Sequence, residues 1–249
     1  RLHLDRRCYA FFHPNMPGEP LIFVEVALTS GLSESIGSLL DESTPDVSPE
    51  EADTAIFYSI SNAQQGLQGI SFGNFLIKRV VETLKAQLPN IKTFSTLSPI
   101  PGFANWLKGL GAAEVAGVLG EDGMQKLTEI AAEMGPPVDL VTLLERPDWY
   151  QNSDFCVTLR PLLKRLLYHY FHTTRVDGQP IDPVARFHLG NGARIERVNW
   201  LGDLSDKGLK QAYGFMVNYL YPIKDIEKNH EKYATARKIV ISSAVKGLK

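Results

Sequence analysis

The chain has 249 residues, which at roughly 150 residues per domain allows one large domain or two small ones. Its 26 basic and 28 acidic side chains leave a net charge of −2, so it lacks the basic surplus typical of sequence-independent nucleic-acid binding. Two cysteines are too few for a disulfide framework or a cysteine zinc site, and no run approaches the ~18 apolar residues of a membrane helix. These counts predict a soluble protein without a nucleic-acid, membrane or metal partner.

The ends of the sequence indicate a compartment and a possible larger protein. The chain begins at Arg1 rather than Met, with no charged-then-apolar leader, and this predicts that no secretory signal is present. We therefore expect a processed product or the tail of a longer protein. The last four residues, Lys246 to Lys249, do not form a peroxisomal address of the Ser-Lys-Leu kind. The default expectation is a reducing, cytoplasmic compartment.

The residue patterns predict an alternation of strands and helices along the chain. In chain order they predict strands at 8–12 and 21–28, a helix at 33–41 with Ser33 as N-cap, a strand at 54–61, a helix at 71–88 and a strand at 91–97. Beyond these they predict a mostly helical stretch at 103–173, a hairpin with arms 184–189 and 193–200, a strand at 213–221 and a helix at 229–245. The prediction is one α+β domain: a mixed, mostly antiparallel sheet around one parallel crossover, with flanking helices and a helical insertion at about 103–173.

The loop that joins the strand at 54–61 to the helix at 71–88 contains three glycines, Gly66, Gly69 and Gly73. Glycine lets the backbone approach a ligand closely, and the free amides and dipole of the next helix favour an anion such as a pyrophosphate. The loop is neither a Walker P-loop nor a G-x-G-x-x-G dinucleotide turn. A flexible turn with helix-entry glycines explains the same residues, so both interpretations stay open.

Two single residues can carry proton chemistry. Ser98 is followed by Pro99 and Pro101, which fix φ near ~−65° and hold the serine hydroxyl in one place at the edge of the predicted sheet. His188, beside the predicted hairpin turn at Gly190-Asn191-Gly192, can give or take a proton near neutral pH. A rigid turn with a capping serine and a structural histidine are the alternatives.

Other side chains are given structural interpretations. His169 and His172 have helical spacing but no evident third ligand, so we interpret them as surface or packing residues rather than metal ligands. Cys8 and Cys156 are interpreted as small buried hydrophobic residues. The tyrosines of Tyr219-Leu220-Tyr221 are typical of core packing, although one phenol can face a cavity.

Several blocks of the sequence, in colinear order, resemble the malonyl-CoA decarboxylase family. The blocks are Arg7–Tyr9, Pro17–Leu21, Ala55–Ser61, Gln64–Gly69, Phe75–Val81, Leu97–Phe103 and Asn191–Ala193. The resemblance implies a catalytic domain related to GNAT-type N-acyltransferases, a separate helical N-terminal domain outside this chain, and assembly into a dimer or tetramer. It also implies malonyl-CoA as substrate and acetyl-CoA as product.

The resemblance implies roles for particular residues. By this similarity, the stretch that contacts malonyl-CoA comprises Gln68, Gly69, Ile70, Ser71, Phe72, Gly73 and Asn74. Ser98 matches the family's proton acceptor and His188 its proton donor, both also in contact with substrate, and Tyr221 looks like a further active-site tyrosine. Animal members carry a glutamate where this sequence has Ser71, so the similarity does not extend to a carboxylate there.

The implied reaction is decarboxylation of malonyl-CoA to acetyl-CoA and CO₂, which regulates the malonyl-CoA level in fatty-acid metabolism. It is expected to need no cofactor, because the substrate's own thioester carbonyl can accept the electron pair as an enolate. Two other functions stay open: acyl transfer from acyl-CoA to an amine, as in GNAT enzymes, and non-catalytic acyl-CoA binding.

Overall fold

The computed structural model of the protein describes residues 3–67, 73–133 and 139–249. The strands are β1 (Arg6–His13), β2 (Met16–Thr29), β3 (Thr54–Asn62), β4 (Thr93–Thr96), β5 (Ser98–Pro99), β6 (Arg194–Asn199) and β7 (Met216–Leu220). The α-helices are α1 (Ile36–Leu40), α2 (Gly73–Gln87), α3 (Phe103–Lys108), α4 (Ala112–Glu133), α5 (Leu140–Leu144), α6 (Ser153–His172), α7 (Pro183–Gly190), α8 (Asp206–Ala212), α9 (Ile226–Ala236) and α10 (Ser243–Lys246).

The described strands form one mixed sheet with the order β1-β2-β3-β4-β7-β5, and β6 pairs with β7. Strands β3 and β4 are parallel, with Thr54 opposite Thr93, and the other strand pairs among the described residues are antiparallel. Helix α2 makes the crossover between the two parallel strands, as such a connection requires. The predicted α+β class and the mixed, mostly antiparallel sheet are confirmed.

Two buried clusters lie on the two faces of the sheet. Successive side chains of a strand point to opposite faces of its sheet. In β3, Phe57 accordingly belongs to the larger cluster and its neighbour Ile56 to the smaller one. The larger cluster also contains Val80 and Leu84 of α2, which confirms that the apolar stripe of that helix faces the core. The helices α3 to α6 fill most of 103–173, so the helical insertion is confirmed as well.

The predicted hairpin at 184–200 is wrong in its first arm, which is helix α7. The Asp182 side chain accepts a hydrogen bond from the Ala185 amide, and Pro183 occupies the first helical turn, where its missing N–H costs nothing. The Gly190-Asn191-Gly192 segment ends this helix instead of joining two strands. Gly192 has φ +79°, and a side chain there would collide with the Ile226 carbonyl, so the turn requires glycine. The second arm is strand β6, as predicted.

Four smaller predictions are corrected. The N-cap of α1 is Ser35 and not Ser33, because Ser35 Oγ accepts from the Ser38 amide. The predicted strand at 213–221 begins only at β7, because Tyr213 adopts a left-handed conformation that ends α8. The predicted helix at 229–245 is divided into α9 and α10, because Arg237 has φ +51°. Cys8 is exposed rather than buried, and Cys156 is half-buried.

Candidate active site

Ser98 lies where the sheet changes from β4 to β5. Ser95 stands opposite Leu220, and Ser98 stands opposite Val217, so both short strands follow β7 in one register. Pro99 lies in β5 opposite Met216, and the chain then turns into α3. Ser98 is buried, and its side chain points to the face of the sheet that carries the larger core cluster, where it meets a histidine from α7.

His188 lies in the last turn of α7 and is buried. Its Nε2 atom is 3.2 Å from Ser98 Oγ, and its Nδ1 atom is 2.7 Å from the hydroxyl oxygen of Tyr221. The ring stacks on Tyr219, with 4.5 Å between ring centroids and 25° between the planes. Both ring nitrogens are thus engaged, and the stacking fixes the orientation of the imidazole.

Tyr221 follows β7 directly and continues its line, because its amide donates to the Phe94 carbonyl at 2.8 Å. The structure therefore brings together all three residues that the sequence analysis named as catalytic: Ser98, His188 and Tyr221. Ser98 also donates to Thr96 Oγ1 at 2.8 Å. We call the four connected side chains, Tyr221, His188, Ser98 and Thr96, the hydroxyl–imidazole network.

The hydroxyl–imidazole network is uncharged. Burial lowers the pKa of His188 to about 3, so the imidazole is neutral at physiological pH. Burial likewise raises the pKa of Tyr221 well above its ordinary value, so its phenol keeps its proton. Neutral hydroxyl groups and a neutral imidazole can each donate one proton and accept another, and this suits them to hydrogen bonding and proton transfer without a buried charge.

Thr96, the fourth member of this network, was not predicted from the sequence. Thr96 is buried, and its Oγ1 accepts a hydrogen bond from the Tyr219 amide at 3.2 Å as well as from Ser98. The neighbouring Ser95 donates to the Tyr219 carbonyl at 3.1 Å. Two hydroxyl side chains therefore bind the backbone of β7 at the place where β4 ends. Two consecutive hydroxyl residues at a strand end are a weak signal that could have pointed to this contact.

A second contact that was not predicted from the sequence is the hydrogen bond between Asp182 and Tyr170, which supports helix α7. Asp182 is fully buried, and one of its carboxylate oxygens accepts from the Ala185 amide at 2.7 Å while the other accepts from the Tyr170 hydroxyl at 2.9 Å. Burial raises the pKa of Asp182, although these two hydrogen bonds act in the opposite direction. The pair ties the first turn of α7 to α6. The Asp-Pro dipeptide at 182–183 is the sequence signal that could have found the helix start.

The predicted substrate-binding stretch lies only in part within the described residues. Gln68, Gly69, Ile70, Ser71 and Phe72 lie outside the described residues. Gly73 and Asn74 are the first two residues of α2, a helix of 15 residues. The predicted strand before the glycine-rich loop and the predicted helix after it are confirmed as β3 and α2.

The remaining candidates do not form a second site. His172 is exposed and bonds to the Tyr168 carbonyl, while His169 packs beside Trp106. Within the described residues, no group of three His, Cys, Asp or Glu side chains is placed to hold a metal ion. None of the described helices is both long and apolar enough to span a membrane. A cavity of about 810 Å³ lies beside α1, and none of Ser98, His188 and Tyr221 lines it.

Comparison with known proteins identifies the family of the chain. The family description "Malonyl-CoA decarboxylase C-terminal domain" matches residues 1–249. The mitochondrial malonyl-CoA decarboxylase of Anser anser anser is 43% identical over 247 residues, covering 96% of this chain and 49% of that protein. The corresponding protein of Rattus norvegicus is 41% identical over 253 residues, covering 98% of this chain and 51% of that protein. The crystal structure of malonyl-CoA decarboxylase from Rhodopseudomonas palustris superposes with a TM-score of 0.85 at 48% identity, covering 98% of this chain and 53% of that one.

The fold and the site define an α+β domain in which a sheet and a helix bury a neutral serine–histidine–tyrosine contact. The chain belongs to the malonyl-CoA decarboxylase family, whose C-terminal domain it matches along its whole length. It spans about half the length of the curated relatives it matches.

Proposed function

We propose that this chain catalyses the decarboxylation of malonyl-CoA to acetyl-CoA and CO₂. The observation that carries the proposal is the buried contact of His188 with Ser98 and Tyr221, at 3.2 and 2.7 Å, in a chain that belongs to the malonyl-CoA decarboxylase family. The relatives described above carry the name of this activity, and the three residues are those that the resemblance assigns to catalysis.

The proposed reaction separates into two steps. The bond between the α-carbon and the carboxylate breaks, CO₂ leaves, and the electron pair enters the thioester carbonyl to form an enolate. A proton then adds to the α-carbon, and the carbonyl is restored in acetyl-CoA. Because the thioester itself takes the electron pair, the proposal needs no cofactor. The protein must stabilise the enolate oxygen with fixed donors and deliver one proton.

The hydroxyl–imidazole network fits both requirements. The imidazole of His188 is neutral, so it acts as a proton relay: one ring nitrogen gives its proton to the α-carbon while the other takes a proton from the Tyr221 hydroxyl, which solvent finally replaces. Ser98 is a neutral hydroxyl group beside the same ring. We assign the role of proton donor to His188 and the role of proton acceptor to Ser98, as the resemblance implies. A low-dielectric surrounding strengthens the hydrogen bonds of such groups to a developing anion.

We further propose that residues 68–74 contact the coenzyme A part of the substrate. Support comes from Gly73 at the start of α2, because the first amides of a helix of this length favour an anionic group. Binding energy from this remote part of the substrate can position the reacting carboxylate. A role in regulating malonyl-CoA for fatty-acid metabolism, homo-oligomer formation and a cytoplasmic location stay predictions; the curated relatives carry mitochondrial names.

The test is an assay of the purified chain with malonyl-CoA and no acyl acceptor, measuring release of CO₂ and formation of acetyl-CoA. Ser98→Ala and His188→Gln are each expected to lower kcat by ~10²–10⁴ because each removes a proton-transfer group. Tyr221→Phe is expected to lower kcat less, since it removes one hydrogen bond to the imidazole. His172→Gln, which changes an exposed histidine, serves as the matched control and is expected to leave activity unchanged.

The same assay separates the alternatives. Release of free coenzyme A and formation of an N-malonyl amide, without CO₂ and only when an amine acceptor is present, would favour an N-acyltransferase. Saturable binding of malonyl-CoA without any turnover would favour an acyl-CoA-binding module. Full decarboxylase activity of Ser98→Ala or His188→Gln would refute the residue assignment.

A further inference from the structure

Thr96 is the member of the hydroxyl–imidazole network to which no role has been assigned. Its side chain is 1% exposed and lies two residues before Ser98, on the same side of the strand. Two donors meet its Oγ1 atom: the Tyr219 amide at 3.2 Å and the Ser98 hydroxyl at 2.8 Å. Ser98 Oγ therefore lies within hydrogen-bond distance of both Thr96 Oγ1 and His188 Nε2.

The direction of these hydrogen bonds decides which nitrogen of His188 carries the proton. A neutral imidazole has one N–H donor and one acceptor nitrogen. When the Ser98 hydroxyl donates its hydrogen bond to Thr96 Oγ1, the serine oxygen can only accept a hydrogen bond from Nε2 of His188. Nε2 must therefore carry the ring proton. The other nitrogen, Nδ1, then accepts from the Tyr221 hydroxyl at 2.7 Å. Each contact then joins one donor to one acceptor.

We propose that Thr96 is a positioning residue that accepts the hydrogen bond of the Ser98 hydroxyl and thereby holds the proton of the neutral His188 ring on Nε2. Thr96 acts through Ser98, at a distance of one side chain from the imidazole. The consequence for turnover rests on the proposed decarboxylase function, because it is the Nε2 proton that this arrangement presents toward Ser98. The tautomer of His188 is a property of the protein alone and does not depend on that function.

The substitution Thr96→Val tests the proposal because it removes the hydroxyl and nearly keeps the volume. Without the threonine oxygen, the Ser98 hydroxyl turns toward Nε2 and donates to it. The ring proton then moves to Nδ1, where the Tyr221 oxygen can accept it. Thr96→Ser keeps the hydroxyl and is expected to keep the original tautomer. Thr54→Val is the matched control, because Thr54 is a buried threonine of β3 whose hydroxyl bonds to Asp53, outside the network.

The measurement is a two-bond ¹H–¹⁵N correlation spectrum at about pH 7, where the ring is neutral, of the chain labelled with ¹⁵N-histidine. The His188 signals are assigned by their loss in His188→Gln. We expect the Nε2–H tautomer in the unsubstituted chain, in Thr96→Ser and in Thr54→Val, and the Nδ1–H tautomer in Thr96→Val. Thr96→Ala replaces Thr96→Val if the valine does not fold. An Nδ1–H tautomer in the unsubstituted chain, or a tautomer unchanged by loss of the Thr96 hydroxyl, would overturn the proposal.

Kinetics provide the second readout. With malonyl-CoA as substrate, Thr96→Val is expected to lower kcat about tenfold with little change in KM, because one hydrogen bond in the network is misdirected. Thr96→Ser should restore most of kcat. A tautomer change in Thr96→Val in a chain that shows no decarboxylation would refute the proposed function and support the role of Thr96. Decarboxylation by Thr96→Val with an unchanged tautomer would support the proposed function and refute the role of Thr96.

Discussion

Replacing Asp182 with alanine should destabilise the protein more than the loss of an ordinary helix cap. Asp182 has two partners: the Ala185 amide at 2.7 Å, which begins α7, and the Tyr170 hydroxyl at 2.9 Å, which belongs to α6. The alanine leaves the helix without its N-cap and leaves the Tyr170 hydroxyl buried without its acceptor. Because α7 carries His188, the substitution also loosens the helix that positions the imidazole.

The magnitude follows from these two losses. An N-cap is worth about 1 kcal/mol, and a buried hydroxyl that loses its partner costs about 1–3 kcal/mol. Together they predict a decrease of about 2–4 kcal/mol in the free energy of unfolding. For a protein of this size, that corresponds to a decrease in Tm of roughly 4–16 °C. In a Tyr170→Phe background only the cap is lost, so Asp182→Ala should then cost about 1 kcal/mol.

Urea denaturation followed by circular dichroism measures these differences. The matched control is Asp139→Ala, because Asp139 caps α5 through the Thr142 amide at 2.9 Å but lies at an exposed position. It should cost about 1 kcal/mol, the value of the cap alone. Equal costs for Asp182→Ala and Asp139→Ala, or an undiminished cost of Asp182→Ala in the Tyr170→Phe background, would refute the reasoning.

Two further predictions concern pH and packing. The His188 ring takes up a proton below about pH 6.5 in the unfolded chain, whereas burial lowers its pKa to about 3 in the folded protein. Between these two pH values His188 should therefore lower the free energy of unfolding by up to about 1.4 kcal/mol for each pH unit that the pH falls. Urea titrations between about pH 7 and about pH 4.5 should show a smaller slope for His188→Gln, and equal slopes would contradict the buried neutral ring. Gly102→Ala should cost about 1–3 kcal/mol, because its Cβ would collide with the Tyr170 hydroxyl. Thermal melts should show a smaller cost in a Tyr170→Phe background; an equal cost would assign the effect to the backbone.

The parts of the fold that were predicted well from the sequence are those with a strong local pattern. The stripe of α2 that includes Val80 and Leu84 repeats every four residues because only one side of the helix faces the core. The strand at 54–61 was also predicted nearly to its observed bounds, Thr54–Asn62, since its branched and aromatic composition is typical of a buried strand. Such patterns depend on local geometry and are visible in a single sequence.

Helix α7 was not predicted because two local signals disagree. The Gly190-Asn191-Gly192 segment is typical of a hairpin, whereas Asp182-Pro183 is typical of a helix start. A segment of eight residues is too short for apolar periodicity to decide between them. The second oxygen of Asp182 accepts from Tyr170 of α6, a tertiary contact that neither local signal contains.

The candidate site was predicted in its main residues and missed in its supporting ones. Ser98, His188 and Tyr221 were predicted from the resemblance to a known family. In the structure, His188 contacts both Ser98 and Tyr221. Thr96 looks like any branched strand residue in the sequence. Its proposed role rests on the nearby Ser98, and its other contact is to the Tyr219 amide, 123 positions later in the chain. Apart from the two consecutive hydroxyl residues at 95–96, a contact over such a separation leaves no pattern in a single sequence.

The position of β7 beside β4 and β5 has a consequence for what enzymatic activity measures. The hydroxyl–imidazole network joins residues that are 90 and 33 positions apart, so its formation closes two long loops of the chain. Contacts that close long loops are slow to form during folding. A molecule whose helical insertion has folded while β7 is still unpaired already has much of its helical content but no complete network. The proposed decarboxylation therefore requires β7 to be paired with β4 and β5, which helical content alone does not report.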